Sequence, residues 1–198
     1  MSDLQHCILH AALPNIVFDG WSMATLEKAA ESIGLPRADA QRAFPKGVME
    51  CLDYFTAEAD ANMVQSLEQD YTLTEMKIRD RIAAAVMVRL RQNQPHREAI
   101  RRALAFYALP WNAPALLHSA YRTVDAMWRA CGDNSTDFNF YTKRALLAKI
   151  YASTLYVWLD DDSPDLTETQ AFLHRRIDNV MQIQKAKFKI KSWFGKTA

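Results

Sequence analysis

The amino-acid sequence predicts an all-α protein of about nine helices. Only 5 of its 198 residues are glycine, which is few for a protein built from strands and tight turns. Apolar residues recur at helical spacing in almost every segment, and the breaks between segments fall at Gly, Pro and Asx or Ser clusters. We expect a helix-turn-helix-like head at 1–47, a helical body at 48–182 and a basic amphipathic tail at 183–198.

The head contains the first three predicted helices. The first covers about 3–13, because Pro14 lacks the N–H that a helix interior needs. The second begins near Ser22 or Thr25, which are residue types that cap helix N-termini, and ends at Gly34. A short third helix, opened by the next proline, completes the head.

Six further helices are predicted for the body and tail. Apolar stripes and the turn residues between them place these helices from residue 48, at about 73–93, 95–109, 114–130 and 136–158, and from residue 163. Ser163 is expected to cap the last helix, with Pro164 at its first position and acidic residues near the positive end of the helix dipole.

Charges are distributed unevenly along the chain. Residues 1–60 carry 4 basic and 9 acidic side chains, residues 61–165 carry 13 and 12, and residues 166–198 carry 7 and 2. The basic C-terminal part favours an anionic partner such as a membrane surface. DNA binding needs cations that neutralise phosphates, whereas the head carries 4 basic and 5 acidic side chains, so no nucleic-acid partner is expected.

Several sequence features bear on the compartment. The 3 cysteines form no CxxC pair, and the N-terminus has neither signal-peptide nor transit-peptide character. No apolar run reaches the roughly 18 residues that a membrane span needs. We therefore expect a cytoplasmic protein of bacterial type that lies peripherally on the inner membrane.

No catalytic or metal site is predicted. GxSxG, Walker A and GxGxxG motifs are absent from the sequence, and its 5 histidines are scattered. His6 and His10 stand one helical turn apart, but two ligands do not make a metal site. The chain is therefore expected not to be an enzyme and to need no cofactor.

Residues 20–47 resemble the head of TetR-type regulators. They combine an amphipathic helix, a tight turn at Gly34, a short recognition-like helix and a turn that reads Phe44-Pro45-Lys46-Gly47. The resemblance implies a TetR-like fold with a ligand-binding body. The charges of the head favour a structural cap that has lost DNA binding, and a ligand-responsive repressor is the alternative function.

Motifs in the second half of the chain resemble the COQ-nine family of ubiquinone-biosynthesis proteins. The run from Ser135 to Ala145 is the most specific, and it follows Val124-Asp125-Ala126-Met127-Trp128 and precedes Asp162-Ser163-Pro164-Asp165. The resemblance implies a TetR-like homodimer that binds an isoprenoid lipid such as a polyprenyl quinone precursor, and a phospholipid is the other possible ligand. It also implies an accessory role to the di-iron demethoxyubiquinone hydroxylase, which would be the protein partner.

The resemblance also implies a partner-binding patch, with Phe140 where relatives often carry Trp. Its members would be Asp125, Met127, Asp137, Phe140, Tyr141 and Arg144. On a helix, Asp137, Tyr141 and Arg144 share one face, and a mix of aromatic and charged groups suits a binding hot spot. Alternatively, the aromatic residues belong to the core, and Asp137 with Arg144 forms a helix-capping ion pair.

Two further sets of residues are candidates for lipid contact. Candidate walls of a lipid pocket are Met87, Leu90, Phe106, Leu109, Trp111, Leu116, Leu117, Ile150 and Leu155. Candidate membrane contacts in the tail are Lys185, Lys189, Ile190, Trp193, Phe194 and Lys196. The tail could instead be solvated or packed on a second subunit, and a helical scaffold without any ligand is a third possible function.

Overall fold

The protein is all-α, which confirms the predicted fold class. A computed structural model describes the backbone at 2–133 and 138–194 and the side chains at 3–70, 72–133 and 140–180. Nine α-helices follow one another in these ranges: α1 (Ser2–Asp19), α2 (Met23–Ser32), α3 (Ala38–Ala43), α4 (Val48–Gln69), α5 (Ile78–Gln92), α6 (Arg97–Tyr107), α7 (Ala113–Ala130), α8 (Phe138–Trp158) and α9 (Thr167–Phe194). Short 3-10 turns lie between them at Tyr71–Glu75, Gln94–His96, Pro110–Asn112 and Pro164–Leu166.

Helix α1 is longer than predicted, because it continues through Pro14 to Asp19. A proline inside a helix costs about 3 kcal/mol. The extension buries Ile16 completely in the head, and burial of such a side chain contributes a similar amount, about 1.5–3 kcal/mol. The helix ends at Gly20, whose φ of +72° suits glycine and whose N–H bonds the Ile16 carbonyl at 2.9 Å. The predicted end at Pro14 is therefore wrong.

Helices α1, α2 and α3 pack around one apolar cluster that includes Leu26 and Phe44. Ser22 caps α2, because its Oγ accepts the Thr25 N–H at 3.1 Å. Thr25 in turn donates its hydroxyl to the Gly20 carbonyl at 3.0 Å. These two bonds give the Thr25 N–H and the Gly20 carbonyl their hydrogen-bond partners, and they hold the chain in position where it enters α2.

The head is joined to the body by a buried tryptophan. The indole Nε1–H of Trp21 donates to the Ala99 carbonyl of α6 at 2.9 Å. Ala103 and Tyr107 of α6 belong to the same apolar cluster as the head helices. The core of the head therefore continues into α6, while the predicted domain boundary at residue 47 stays a prediction.

The body packs α4, α5, α7, α8 and α9 around a second apolar cluster. Trp158 is its largest fully buried side chain, and its Nε1–H donates to Gln94 Oε1 at 2.9 Å. Met127 of α7 and Leu173 of α9 also have no exposed surface. Burial of these large side chains is the main source of stability in the body.

Two side chains cap the start of α9, and the sequence predicted one of them, Ser163. Ser163 precedes the Pro164–Leu166 turn rather than the first turn of α9, and its Oγ accepts the Glu168 N–H at 3.1 Å. The buried carboxylate of Asp161 accepts the Thr169 N–H at 2.8 Å and also the Ser163 N–H at 2.8 Å. Asp161 therefore shares the capping of α9 with Ser163, and its part in the cap was not predicted.

Helix α9 continues to Phe194, so most of the predicted tail is helical in its backbone. Within the described residues, no helix is both long enough and apolar enough to cross a membrane. The predicted membrane contacts lie outside the described side chains: Lys185, Lys189, Ile190, Trp193, Phe194 and Lys196.

Candidate functional site

Helices α4 to α8 surround a cavity of about 530 Å³ in the body. Its walls are mostly apolar and include Phe55 from α4, Leu104 from α6, Leu116 from α7 and Leu155 from α8. Pockets that bind small molecules have volumes of roughly 300–1,000 Å³ and mostly apolar walls. The cavity therefore has the size and surface of a site for an apolar ligand.

Small side chains on two of the surrounding helices line part of the cavity and leave room for it. Ala148 and Ala152 line it one turn apart on α8, and Ser119 and Ala120 line it from α7. Protein interiors rarely contain voids larger than a water molecule. An unfilled space of this size is therefore a specific property of the chain.

The cavity opens to solvent between α7 and α8. Leu117 and Tyr156 line it, yet they are 71% and 72% exposed. Lys149 of α8 lies at the same cavity, and it is exposed as well. A long apolar molecule could therefore enter through a rim that combines large apolar side chains with a positive charge.

One wall of the cavity is polar. Arg89 donates from Nε to Asp60 Oδ1 at 2.9 Å, and the Thr123 hydroxyl donates to Asp60 Oδ2 at 2.9 Å. Arg89 and Thr123 line the cavity, and all three side chains are buried. Burial raises the pKa of Asp60, and the charge of Arg89 opposes that rise. The Tyr151 phenol also lines the cavity, and burial raises its pKa.

Four of the nine predicted pocket residues line the cavity: Leu90, Leu116, Leu117 and Leu155. The other five do not line this cavity, and the lipid pocket itself stays a prediction. Met87 and Ile150 belong to the body core, Phe106 packs against the head core, and Leu109 and Trp111 are exposed around the turn between α6 and α7. Each helical step rotates a side chain by about 100°, so apolar character alone does not decide which space a residue faces.

Several residues that line the cavity were not predicted from the sequence. Alanine favours helix wherever it occurs, and Phe55, Tyr107 and Tyr151 resemble ordinary core residues. One signal was available, because Ala148 and Ala152 place two small side chains one turn apart on an otherwise bulky helix.

Arg144, predicted as a partner contact, lies below the surface and is only 3% exposed. Its guanidinium donates to Asp125 at 2.6 Å and to Asp133 at 3.3 Å. It also stacks on the Phe140 ring, 3.3 Å from the ring centroid, and donates to the Phe140 carbonyl at 3.3 Å. Arg144 thus holds α7, α8 and the turn between them together.

The other members of the predicted patch are divided between surface and core. Tyr141 is 67% exposed, and Phe140 and Asp125 are half-buried. Met127 is completely buried in the body core, because it lies on the opposite side of α7 from solvent. Asp137 lies outside the described residues. Burial therefore opposes direct partner contact by Met127 and Arg144, and the rest of the patch stays a prediction.

An all-α body with an apolar cavity, joined to a helix-turn-helix head, defines the TetR-like class of folds. The crystal structure of a TetR transcriptional regulator from Nitrosomonas europaea ATCC 19718 superposes on this chain with a TM-score of 0.72. The match covers 89% of this chain and 97% of that one, at 18% sequence identity. This similarity confirms the TetR-like fold.

Sequence comparison defines the family more narrowly. The model of the COQ9 family matches residues 113–184, which include α7 and α8. The chain is 36% identical over 195 residues, 96% of its length, to the ubiquinone biosynthesis protein COQ9, mitochondrial, of Homo sapiens, and it covers 61% of that protein. The Drosophila melanogaster protein of the same name is 32% identical over 180 residues, which are 89% of this chain and 55% of that protein.

The chain belongs to the COQ9 family, which confirms the resemblance found in its motifs. It is therefore a homologue of ubiquinone biosynthesis proteins. It spans about three fifths of the length of the mammalian relatives that it matches.

Proposed function

We propose that this chain is an accessory lipid-binding protein of ubiquinone biosynthesis. It holds a polyprenylated quinone precursor in the cavity between α4 and α8 and presents the head group to the di-iron demethoxyubiquinone hydroxylase. It has no catalytic role of its own. The observation that supports this proposal most is the open, apolar cavity of about 530 Å³ in a COQ9-family chain.

The energetics of isoprenoid lipids explain why such a protein is useful. Each CH₂ group moved from an apolar phase into water costs about 0.8 kcal/mol. A long isoprene tail therefore leaves a bilayer only when a second apolar surface receives it. The cavity supplies that surface, and its rim at Leu117 and Tyr156 gives the tail a direct path into it.

We further propose that the protein works as a homodimer on a membrane surface. Its basic C-terminal segment, with Lys185 and Lys189 in the sequence, would contact anionic lipids. The hydroxylase would bind near Tyr141, whose large exposed ring suits a protein interface. A cytoplasmic location stays a prediction.

A ligand-responsive repressor has less support. In the short helix α3, Arg42 pairs with Asp39 at 2.8 Å, and Arg37 just before that helix pairs with Glu31 at 2.5 Å. Both arginines of the recognition-like segment therefore already have anionic partners, which opposes phosphate binding.

Organic extraction of the purified full chain, followed by mass spectrometry, tests the main proposal. We expect a polyprenylated quinone or its precursor in the extract. Phospholipid alone would contradict quinone specificity while leaving lipid binding intact. A chain that contains no lipid, and takes none up from vesicles loaded with a polyprenyl quinone, would contradict the proposal as a whole.

A further inference from the structure

Two histidines and a glutamate meet at the contact between α1 and α4. His6 and His10 lie one turn apart on an exposed face of α1, with ring centroids 4.2 Å apart. Glu58 of α4 lies opposite them. Its Oε1 is 2.9 Å from His6 Nδ1 and 3.0 Å from His10 Nε2. Within the described residues, one potential ligand atom from each of the three side chains falls within 4.8 Å of the others.

We propose that His6, His10 and Glu58 bind a divalent transition-metal ion of the zinc type. Two imidazoles and one carboxylate form a known ligand set for zinc sites that keep one position for water. The sequence alone predicts no metal site, because His6 and His10 supply only two ligands. The fold supplies the third from 48 residues further along the chain.

The two contacts to Glu58 require only a small adjustment to accept the ion, and the two imidazole nitrogens, which lie within 4.8 Å of each other, would turn toward it. Zinc lies about 2.0–2.2 Å from such ligands, so neighbouring ligand atoms of a tetrahedral site are about 3.3–3.5 Å apart. The present nitrogen-to-oxygen distances of 2.9 and 3.0 Å would therefore lengthen by a few tenths of an ångström. Each imidazole would also move its proton to its other ring nitrogen, so that a lone pair faces the ion.

The surroundings offer room for a metal-bound water. A second, smaller cavity of about 70 Å³ lies beside the cluster, and its walls include His10, Glu58, His96 and Gln92. A water molecule occupies about 30 Å³ in the liquid, so the cavity is large enough for one or two. Gln92 Oε1 is buried and accepts no hydrogen bond, while its Nε2 donates to the Ser66 hydroxyl at 2.8 Å. A buried acceptor without a donor favours a water in this cavity.

An ion at this position would connect the head to the body. His6 and His10 belong to α1, whereas Glu58 belongs to α4. Binding to the folded state alone stabilises it in proportion to the logarithm of metal concentration over Kd. The ion would therefore raise the thermal stability of the folded chain. This inference is independent of the proposed lipid-binding function.

Metal binding by the untagged full chain tests the proposal. We expect saturable, equimolar binding in a Zn²⁺ titration by calorimetry, and a Co²⁺ absorption spectrum typical of a tetrahedral site. Replacement of a ligand by His10→Ala should weaken Zn²⁺ binding by about tenfold or more, since loss of even an outer-shell partner costs 10- to 100-fold. Zn²⁺ should raise the Tm of the original chain but not that of the variant.

His174→Ala is the matched control, because His174 is exposed on α9 and does not belong to the cluster. Its Zn²⁺ affinity should equal that of the original chain. Equal affinities for all three proteins, or no saturable Zn²⁺ binding by the original chain, would overturn the proposal. The cluster would then be a hydrogen-bonded contact between α1 and α4 only.

Discussion

Arg144 of α8 donates from Nε to Asp125 of α7 at 2.6 Å, and the Arg144 side of this ion pair is buried. The same guanidinium stacks on Phe140, whose ring meets Tyr141 edge-on with 5.1 Å between the centroids. Arg144 therefore supports the exposed Tyr141 from below. The family resemblance assigns Arg144 to partner contact, but Arg144 contributes to the surface at Tyr141 only indirectly.

The burial of Arg144 predicts a large effect on stability. Arg144→Leu should lower the free energy of unfolding by about 3 kcal/mol, because it removes the buried cation shared by Asp125 and Asp133 and leaves them with the more exposed Arg129 and Lys143. Arg129→Leu is the matched control, since Arg129 pairs with the other oxygen of Asp125 at 2.8 Å but is largely exposed. It should cost less than about 1 kcal/mol. Urea unfolding measures both values, and equal losses would contradict the importance of burial.

The partner surface can be tested at Tyr141 without disturbing the fold. Tyr141→Ala should weaken hydroxylase binding by about tenfold or more, since truncation of a hot-spot aromatic costs roughly 2 kcal/mol. Tyr156→Ala, at an equally exposed tyrosine of α8 beside the cavity, should leave hydroxylase binding unchanged. Pull-down with purified hydroxylase separates the two, and full binding by the Tyr141 variant would rule out this surface.

Filling the cavity should abolish lipid binding. Ala152→Trp places an indole in the cavity wall, at an exposed position that tolerates a larger side chain. Ala145→Trp makes the same change at an exposed alanine of α8 outside the cavity. Mass spectrometry of extracts should find lipid in the second variant and little in the first. Equal lipid content in both variants would place the ligand elsewhere.

Asp161 should make stability depend on pH. Burial raises the pKa of this carboxyl, but hydrogen bonds from Ser163 and Thr169 outweigh burial and lower it from 3.8 to about 2. The ionised form is therefore favoured by folding. Its stabilisation is complete above the unfolded value of 3.8 and is lost as the pH falls from about 4 to about 2.

Urea unfolding at several pH values checks this dependence. Asp161→Ala should lose about 2 kcal/mol at neutral pH, typical of a strong helix cap, and should show a smaller loss of stability on acidification. Asp162→Ala is the control, because Asp162 is 93% exposed in its side chain and pairs only at the surface with Arg97. An unchanged acid slope in the Asp161 variant would contradict the assignment.

The basic tail should contribute to membrane binding. Deletion of 185–198 removes 5 lysines and no acidic residue, so binding to anionic vesicles should fall. The difference should be larger at low salt, where exposed charges are screened less. Flotation with anionic and neutral vesicles measures this effect. Equal flotation of both proteins on anionic vesicles would exclude the tail from membrane attachment.

Local signals in the sequence determined the helices and most of their ends. Ser22 caps α2, and Gly34 adopts a φ of +78° after that helix, as their residue types predict. These features depend on residues within one or two turns, so the sequence displays them directly. The family motifs at Ser135–Ala145 were equally local, and the comparisons confirm the family that they indicated.

Only the tertiary structure decided which side chains meet. Helix α1 continues through Pro14 because the extension buries Ile16 against other helices. The residues next to Pro14 in the sequence do not show this packing. Arg144 is buried because Asp125 and Asp133 approach it from α7 and the following turn. The cavity among α4 to α8 and the position of Glu58 beside His6 likewise depend on the packing of helices distant in sequence. Helical periodicity gives the direction of a side chain relative to its own helix, whereas contacts, burial and cavities depend on what the neighbouring helices supply.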